Sequence, residues 1–189
     1  ALKNKGILFT MIMFFLIQVC VMLLQPLITM YVGQLMGQVN DEAVQMAGVI
    51  FSLAGISGIL AAPFWGKRGQ RYGYVKTFCY ITFGAGVVNL LQFFTTDVYQ
   101  FAVVQFIYGL FLAGAIPNIN ANLAEVTDKS IRGKAFGLVT SAQMSGGFVG
   151  PLLGGALGYF LPTKLVIIST GIILISVAGY TYLKKIKEL

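Results

Sequence analysis

The stretch Ala135 to Thr163 reads AFGLVTSAQMSGGFVGPLLGGALGYFLPT, and none of its residues carries a charge. A helix of that length, at about 1.5 Å per residue, more than covers the roughly 30 Å of hydrocarbon in a bilayer. Inside it Gly146, Gly150, Gly154 and Gly158 recur at intervals of four, with Gly147 and Gly155 beside them. Glycine costs about 1 kcal/mol relative to alanine in a helix interior, so such a row makes sense where a second helix fits into the groove it leaves. Pro151 removes a hydrogen bond to the carbonyl of Gly147 and supplies a kink.

The pattern extends outward in both directions. Gly6 to Asn40, Ala43 to Gly66, Thr77 to Thr96, Val98 to Ala124 and Leu165 to Leu183 are equally free of charge. The chain of 189 residues is 57% hydrophobic and only 10% charged, with a mean hydropathy of +0.83. That is more apolar surface than a soluble globule of this size can bury. Membrane β-strands would be half as long and would alternate polar with apolar residues, which these stretches do not. The expectation is an all-α membrane protein forming one bundle over residues 1–189. Its six spans lie at about 7–32, 44–65, 75–94, 99–122, 136–160 and 165–182.

Lysine and arginine orient it. Lys3 and Lys5 precede span one; Lys67, Arg68, Arg71 and Lys76 follow span two; Lys129, Arg132 and Lys134 follow span four; Lys184, Lys185 and Lys187 end the chain. The opposite loops hold Asp41 with Glu42, then Asp97, then Lys164. By the positive-inside rule the basic side, with both termini, is cytoplasmic. The net charge of +7 therefore follows from topology and contact with anionic headgroups and calls for no nucleic acid.

Cys20 and Cys79 fall inside spans, where a structural disulfide is not expected, and without histidine there is no transition-metal signature. Nucleophile and base pairs and acidic dyads are also missing, which argues against an enzyme and against a cofactor. Span one is too long for a signal-peptide core and is expected to remain in the mature protein. A chain that starts at Ala1 suggests a trimmed fragment.

Polar residues sort by span. Span one carries Gln18, Met22, Gln25 and Thr29 on one helical face, with Pro26 to bend it. The two glutamines either line a cavity or bond to neighbouring helices. Span two has a small-residue row of Ala54, Gly58 and Ala62, with Gly48, Ser52 and Gly55 nearby. Span three is bulky and reads as lipid-facing, with Asn89 and Gln92 near its outer end. Span four presents Gln105, Tyr108 and Leu112 before Pro117, then Asn118, Asn120 and Asn122, which need partners at that depth. Span six is β-branched and featureless. Spans one to three and four to six each open with a helix containing Gln and Pro, a loose symmetry that suggests two inverted three-helix repeats.

These motifs resemble those of the major facilitator superfamily, in particular its drug and proton antiporters. Gly146-x-x-x-Gly150-Pro151-x-x-Gly154-Gly155 is similar to the antiporter motif on the fifth helix of a half. Gly66, Lys67, Arg68, Gly69, Gln70, Arg71, Tyr72 and Gly73 resemble the cytoplasmic loop after the second helix, although Gln70 stands where that pattern has an acid. Gln105, followed by Gly109, stands where N-terminal halves usually carry an intramembrane arginine. Losing both charges points to the C-terminal half.

The resemblance implies that the first and fourth helices line the central cavity, the second and fifth meet the other half, and the third and sixth face lipid. It implies proton-coupled efflux of apolar or cationic small molecules across the plasma or bacterial inner membrane by alternating access. The partners would be an N-terminal six-helix half, the bilayer and the substrate. The cavity residues would be Gln18, Met22, Gln25, Gln105 and Tyr108. Neutral and polarisable, they suit loose recognition better than a charge-paired site. No carboxylate lies within the spans, so proton coupling would fall to acids of the other half. Gly66, Arg71 and Gly73, with Glu125 and Asp128, would form the cytoplasmic gate. There Arg71 would pair with one of the two acids when the outward-open state closes the inner face, unless the pair is a plain surface contact worth about 0 to 1 kcal/mol. The alternatives are a sugar or organic-anion facilitator or symporter of the same fold, and a non-transporting scaffold subunit.

Overall fold

The computed structural model describes residues 5–187, with side chains from 6 to 184. Lys3 lies outside the described residues, as do the side chains of Lys5, Lys185 and Lys187. Every regular element described is helical: α1 (Lys5–Met36), α2 (Asp41–Tyr72), α3 (Tyr74–Leu91), a 3-10 turn (Gln92–Phe94), α4 (Val98–Leu112), α5 (Ala115–Val126), α6 (Arg132–Phe160) and α7 (Thr163–Lys187). Five segments are long and apolar enough to cross a membrane: Gly6–Met36, Asp41–Tyr72, Tyr74–Phe94, Val98–Val126 and Thr163–Lys184. α6 is not among them. Its 29 residues suffice in length, but the glycines that mark it also dilute its apolar content.

The turns follow local chemistry. Gly37, at φ +74°, ends α1 in a Schellman arrangement, its N–H bonded to Gln34 and that of Gln38 to Gly33. The side chain of Asn40 then caps α2 by accepting from the N–H of Ala43 at 3.0 Å, and Asp97 caps α4 by accepting from Tyr99 and Gln100.

Two expectations change here. The segment Gly66–Tyr72 is not a loop: α2 runs to Tyr72, and only Gly73, at φ +93°, breaks it from α3. Nothing between Lys67 and Tyr72 stops a helix, and Gly69 is buried under Asn118, so packing favours continuation. Span four is two helices rather than one, interrupted at Ala113 and Gly114.

Three close helix pairs hold the bundle, α1 with α6, α3 with α7, and α2 with α4. The glycine row of α6 faces α1. A Cβ on Gly146 would stand 2.7 Å from the carbonyl oxygen of Phe15, one on Gly150 2.7 Å from the Cβ of Met22, and one on Gly154 would collide with the carbonyl of Leu23. Gly155, in contrast, meets nothing within 4 Å. The groove expected from the sequence is therefore filled from within the chain.

α3 and α7 are less featureless than their composition suggests. Gly86 and Gly171 bring the two backbones together, a Cβ on Gly86 falling 2.9 Å from the carbonyl of Gly171. Beside them the Nδ2 of Asn89 donates to the Oγ1 of Thr170 at 2.7 Å and to the carbonyl of Ile167 at 3.2 Å. Only one face of α3 is outward, with Tyr80, Phe83 and Leu91 exposed, whereas Thr77, Ile81 and Asn89 are fully buried. About half of that span's circumference is therefore exposed and half is packed within the bundle. On α2 the tight contact is not the row of Ala54, Gly58 and Ala62: Ser57 packs against Gly109 of α4, while Gly48 and Gly55 face open space. α2 is the least buried of the five apolar segments.

Candidate functional site

The break between α4 and α5 organises the site. Pro117 has no N–H to give the carbonyl of Ala113, so the helix tightens one turn earlier and the N–H of Gly114 bonds to Phe111 at 3.2 Å. That releases the carbonyl of Leu110. Trp65 of α2 takes it, its indole N–H donating at 2.7 Å. Asn118 completes the tie, its Nδ2 donating to the carbonyls of Gly114 at 2.8 Å and Trp65 at 3.3 Å. A Cβ on Gly114 would fall 2.5 Å from Trp65, so only glycine allows the indole this close. The Nδ2 of Asn118 thus has its partners, while its Oδ1 is buried without one.

Next to this break α1, α2, α4 and α5, with Gln143 of α6, line a half-open cavity of about 510 Å³, within the range of small-molecule sites. Gln18, Met22, Gln25, Gln105 and Tyr108 all line it, so every residue read as a cavity position reaches the same space. Ala113 and Ile116 line it from either side of the break, and Ala54 and Gly58 from α2. No charged side chain contributes. No cluster of three or more His, Cys, Asp or Glu that could hold a metal occurs among the described residues.

The amides are held in two ways. Gln143 of α6 donates from Nε2 to the Oε1 of Gln18 at 3.3 Å, so Gln18 both faces the cavity and ties two helices. Gln105 is buried and accepts at Oε1 from the Nε2 of Gln92 at 2.9 Å. Behind Gln92 the network runs to Thr95, whose hydroxyl donates to the carbonyl of Gln92 at 2.7 Å, and on to the hydroxyl of Tyr31, 3.2 Å from that of Thr95. Lys164 reaches the carbonyl of Thr95 at 3.2 Å. Tyr108 differs: it is packed with Cys20, Ala85, Val88 and Leu174, and its hydroxyl has no hydrogen-bond partner.

Gln92 and Gln143 are the positions that sequence reasoning left out of the site. Gln143 shares a helical face with Gly146 and Gly150, a spacing that could have revealed it. Nothing local ties Gln92 to Gln105.

In this structure Arg71 forms no ion pair with Glu125 or Asp128. Arg71 is exposed with its guanidinium 5.4 Å from the ring of Tyr72, and Glu125 and Asp128 are also exposed. The cation at the end of α5 is Arg132, whose Nη2 donates to the carbonyls of Ala124 at 2.6 Å and Thr127 at 3.4 Å. Gly66 has open space around it, and Gly73 serves as the hinge between α2 and α3.

Apolar helices, a neutral cavity beside a proline-broken helix and glycine-mediated crossings together describe a bundle of helices suited to a membrane. Residues 6–187 match the Major Facilitator Superfamily, and the chain belongs to that family, which sets it among integral membrane transporters rather than enzymes. Among similar proteins is the multidrug resistance protein MdtG of Yersinia enterocolitica, 33% identical over 136 residues, which is 71% of this chain and 32% of that protein. MdtG of Escherichia coli is 32% identical over 136 residues, again 71% of this chain and 33% of that protein. The matched stretch thus spans about a third of the length of these relatives.

Proposed function

We propose that the chain crosses the membrane six times, α4 with α5 counting as one crossing and α6 as another, and that both ends are cytoplasmic. In this reading it is the C-terminal half of a transporter that exports apolar or cationic small molecules by alternating access, coupled to inward proton movement. The convergence of five neutral polar or polarisable residues on one cavity carries the reading. Such a lining binds by shape and dispersion and turns away few lipophilic molecules. Similarity to relatives named for multidrug resistance supports the substrate class.

The pairing of helices supports two inverted repeats. Exchanging the first three crossings for the last three maps the α1–α6 pair onto α4–α2, and the α3–α7 pair onto itself. The outward faces of α2 and α6, including Gly48 and Gly155, are the surfaces proposed to meet the N-terminal half. With no carboxylate inside the spans, proton coupling would rest with that half.

The test is efflux from cells expressing the whole protein and loaded with a fluorescent lipophilic cation. Dye retention should fall, return when a protonophore collapses the gradient, and respond to Gln105→Ala and Met22→Ala. Retention equal to that of cells lacking the protein would rule out this function.

A further inference from the structure

On the other side of α1 from the cavity, a second space of about 540 Å³ lies between α1 and α7. We propose that it holds one anionic glycerophospholipid, with its phosphate at Lys184 and an acyl chain along Leu8, Ile12, Leu16 and Ile173.

The groove has the polarity of such a lipid. Among the described residues Lys184 is its one charged side chain, at the end of the groove that lies toward the end of α7. Its ammonium is held 4.1 Å from the ring centroid of Phe9, a contact that fixes the cation without neutralising it. Apart from the hydroxyl of Tyr180 the rest is apolar, since the hydroxyl of Ser176 is already committed to the carbonyl of Ile172 at 2.8 Å. Leu8 and Ile12 are 45% and 46% exposed, so the long side of the groove is open laterally.

Its length also fits. Lys184 lies 21 residues after Thr163, the start of α7, or about 32 Å along the helix, which puts the ammonium at headgroup level if α7 spans the bilayer. From Lys184 to Ile173 is about 16 Å, close to the depth of one leaflet. An apolar trough one leaflet deep with a cation at its wet end matches a phospholipid chain and its phosphate. A partner helix would gain nothing from the lysine unless it brought its own acid.

The inference rests on the bilayer reading, and the experiment separates the two. The whole protein is extracted in detergent, offered equal phosphatidylglycerol and phosphatidylcholine of identical acyl composition, and its bound lipid is counted by native mass spectrometry. Wild-type protein should retain phosphatidylglycerol about fivefold over phosphatidylcholine, the effect of one lysine near an anionic headgroup. Lys184→Gln should bring that ratio to about one, Lys184→Arg should keep it, and Ile12→Trp should fill the groove and lower retention of both lipids. Equal retention of the two lipids by wild type, or an unchanged ratio in Lys184→Gln, overturns the proposal. A protein that fractionates with membranes but holds neither lipid, as when a second chain occupies the groove, overturns it too. A protein found in the soluble fraction overturns the bilayer reading first.

Discussion

Gly154 of α6 lies directly against the backbone carbonyl of Leu23 on α1, with no room for a Cβ between them. The neighbouring Gly155 belongs to the same sequence motif and faces open space. The two should therefore separate on substitution. Gly154→Ala forces the helices apart and should destabilise by about 1 to 3 kcal/mol, the usual range for overpacking. Gly155→Ala should be neutral or slightly stabilising, because alanine favours helix. Thermal unfolding in detergent decides it, and equal shifts for the two variants would contradict the packing described.

The tie between Trp65 and the α4–α5 break makes a second prediction. Trp65→Phe removes the donor to the carbonyl of Leu110 and leaves that group unpaired at about 1 to 3 kcal/mol. Asn118→Ala removes a donor shared by Gly114 and Trp65. Because both act on one break, the double variant should lose less than the sum of the singles. Strict additivity would mean that the two contacts are independent.

Tyr108 should behave in the opposite sense. Its hydroxyl is buried without a partner, so Tyr108→Phe should leave stability unchanged or raise it by about 1 kcal/mol. A clear loss of stability would indicate a hydrogen bond that the structure does not contain.

Arg132 and Arg71 provide a comparison on the basic side. Arg132→Ala removes a charged donor from two carbonyls at the end of α5 and should cost about 1.5 to 3 kcal/mol. Arg71→Ala, at an exposed side chain that touches only a tyrosine ring, should shift unfolding by less than about 1 kcal/mol. The reverse ranking would mean that Arg71 has a stabilising partner that the structure does not contain.

Cys20 is 1% exposed. It should react with a maleimide only after unfolding, and rapid labelling of the folded protein would place α1 elsewhere. The buried thiol of Cys20 should also give no mobility change under non-reducing conditions.

Much of the fold was legible because in a membrane protein charge marks boundaries. Lysines, arginines and acids separated the helices, and the polar residues left inside them had few places to go. Gln18, Met22 and Gln25 shared a face of one helix and Gln105 with Tyr108 a face of another, so their meeting in one cavity could be anticipated. Less legible was the end of α2. Its basic segment has the composition of a loop but is helical, because helix there depends on Gly69 fitting beneath Asn118, a residue nearly fifty positions away. The same holds for Gln92: its bond to Gln105 depends on how the 3-10 turn after α3 docks on α4.

The sequence by itself determined the helices, their approximate ends, the glycine face of α6 and the neutral character of the cavity, since these depend on hydropathy, charge and backbone freedom counted along the chain. Tertiary structure decided which helix fills the glycine groove, where span four breaks, and that Arg132 rather than Arg71 braces α5. Those outcomes turn on distances between residues far apart in sequence. A few tenths of an ångström against a carbonyl or an indole ring selects one arrangement, and no local pattern along the chain records it.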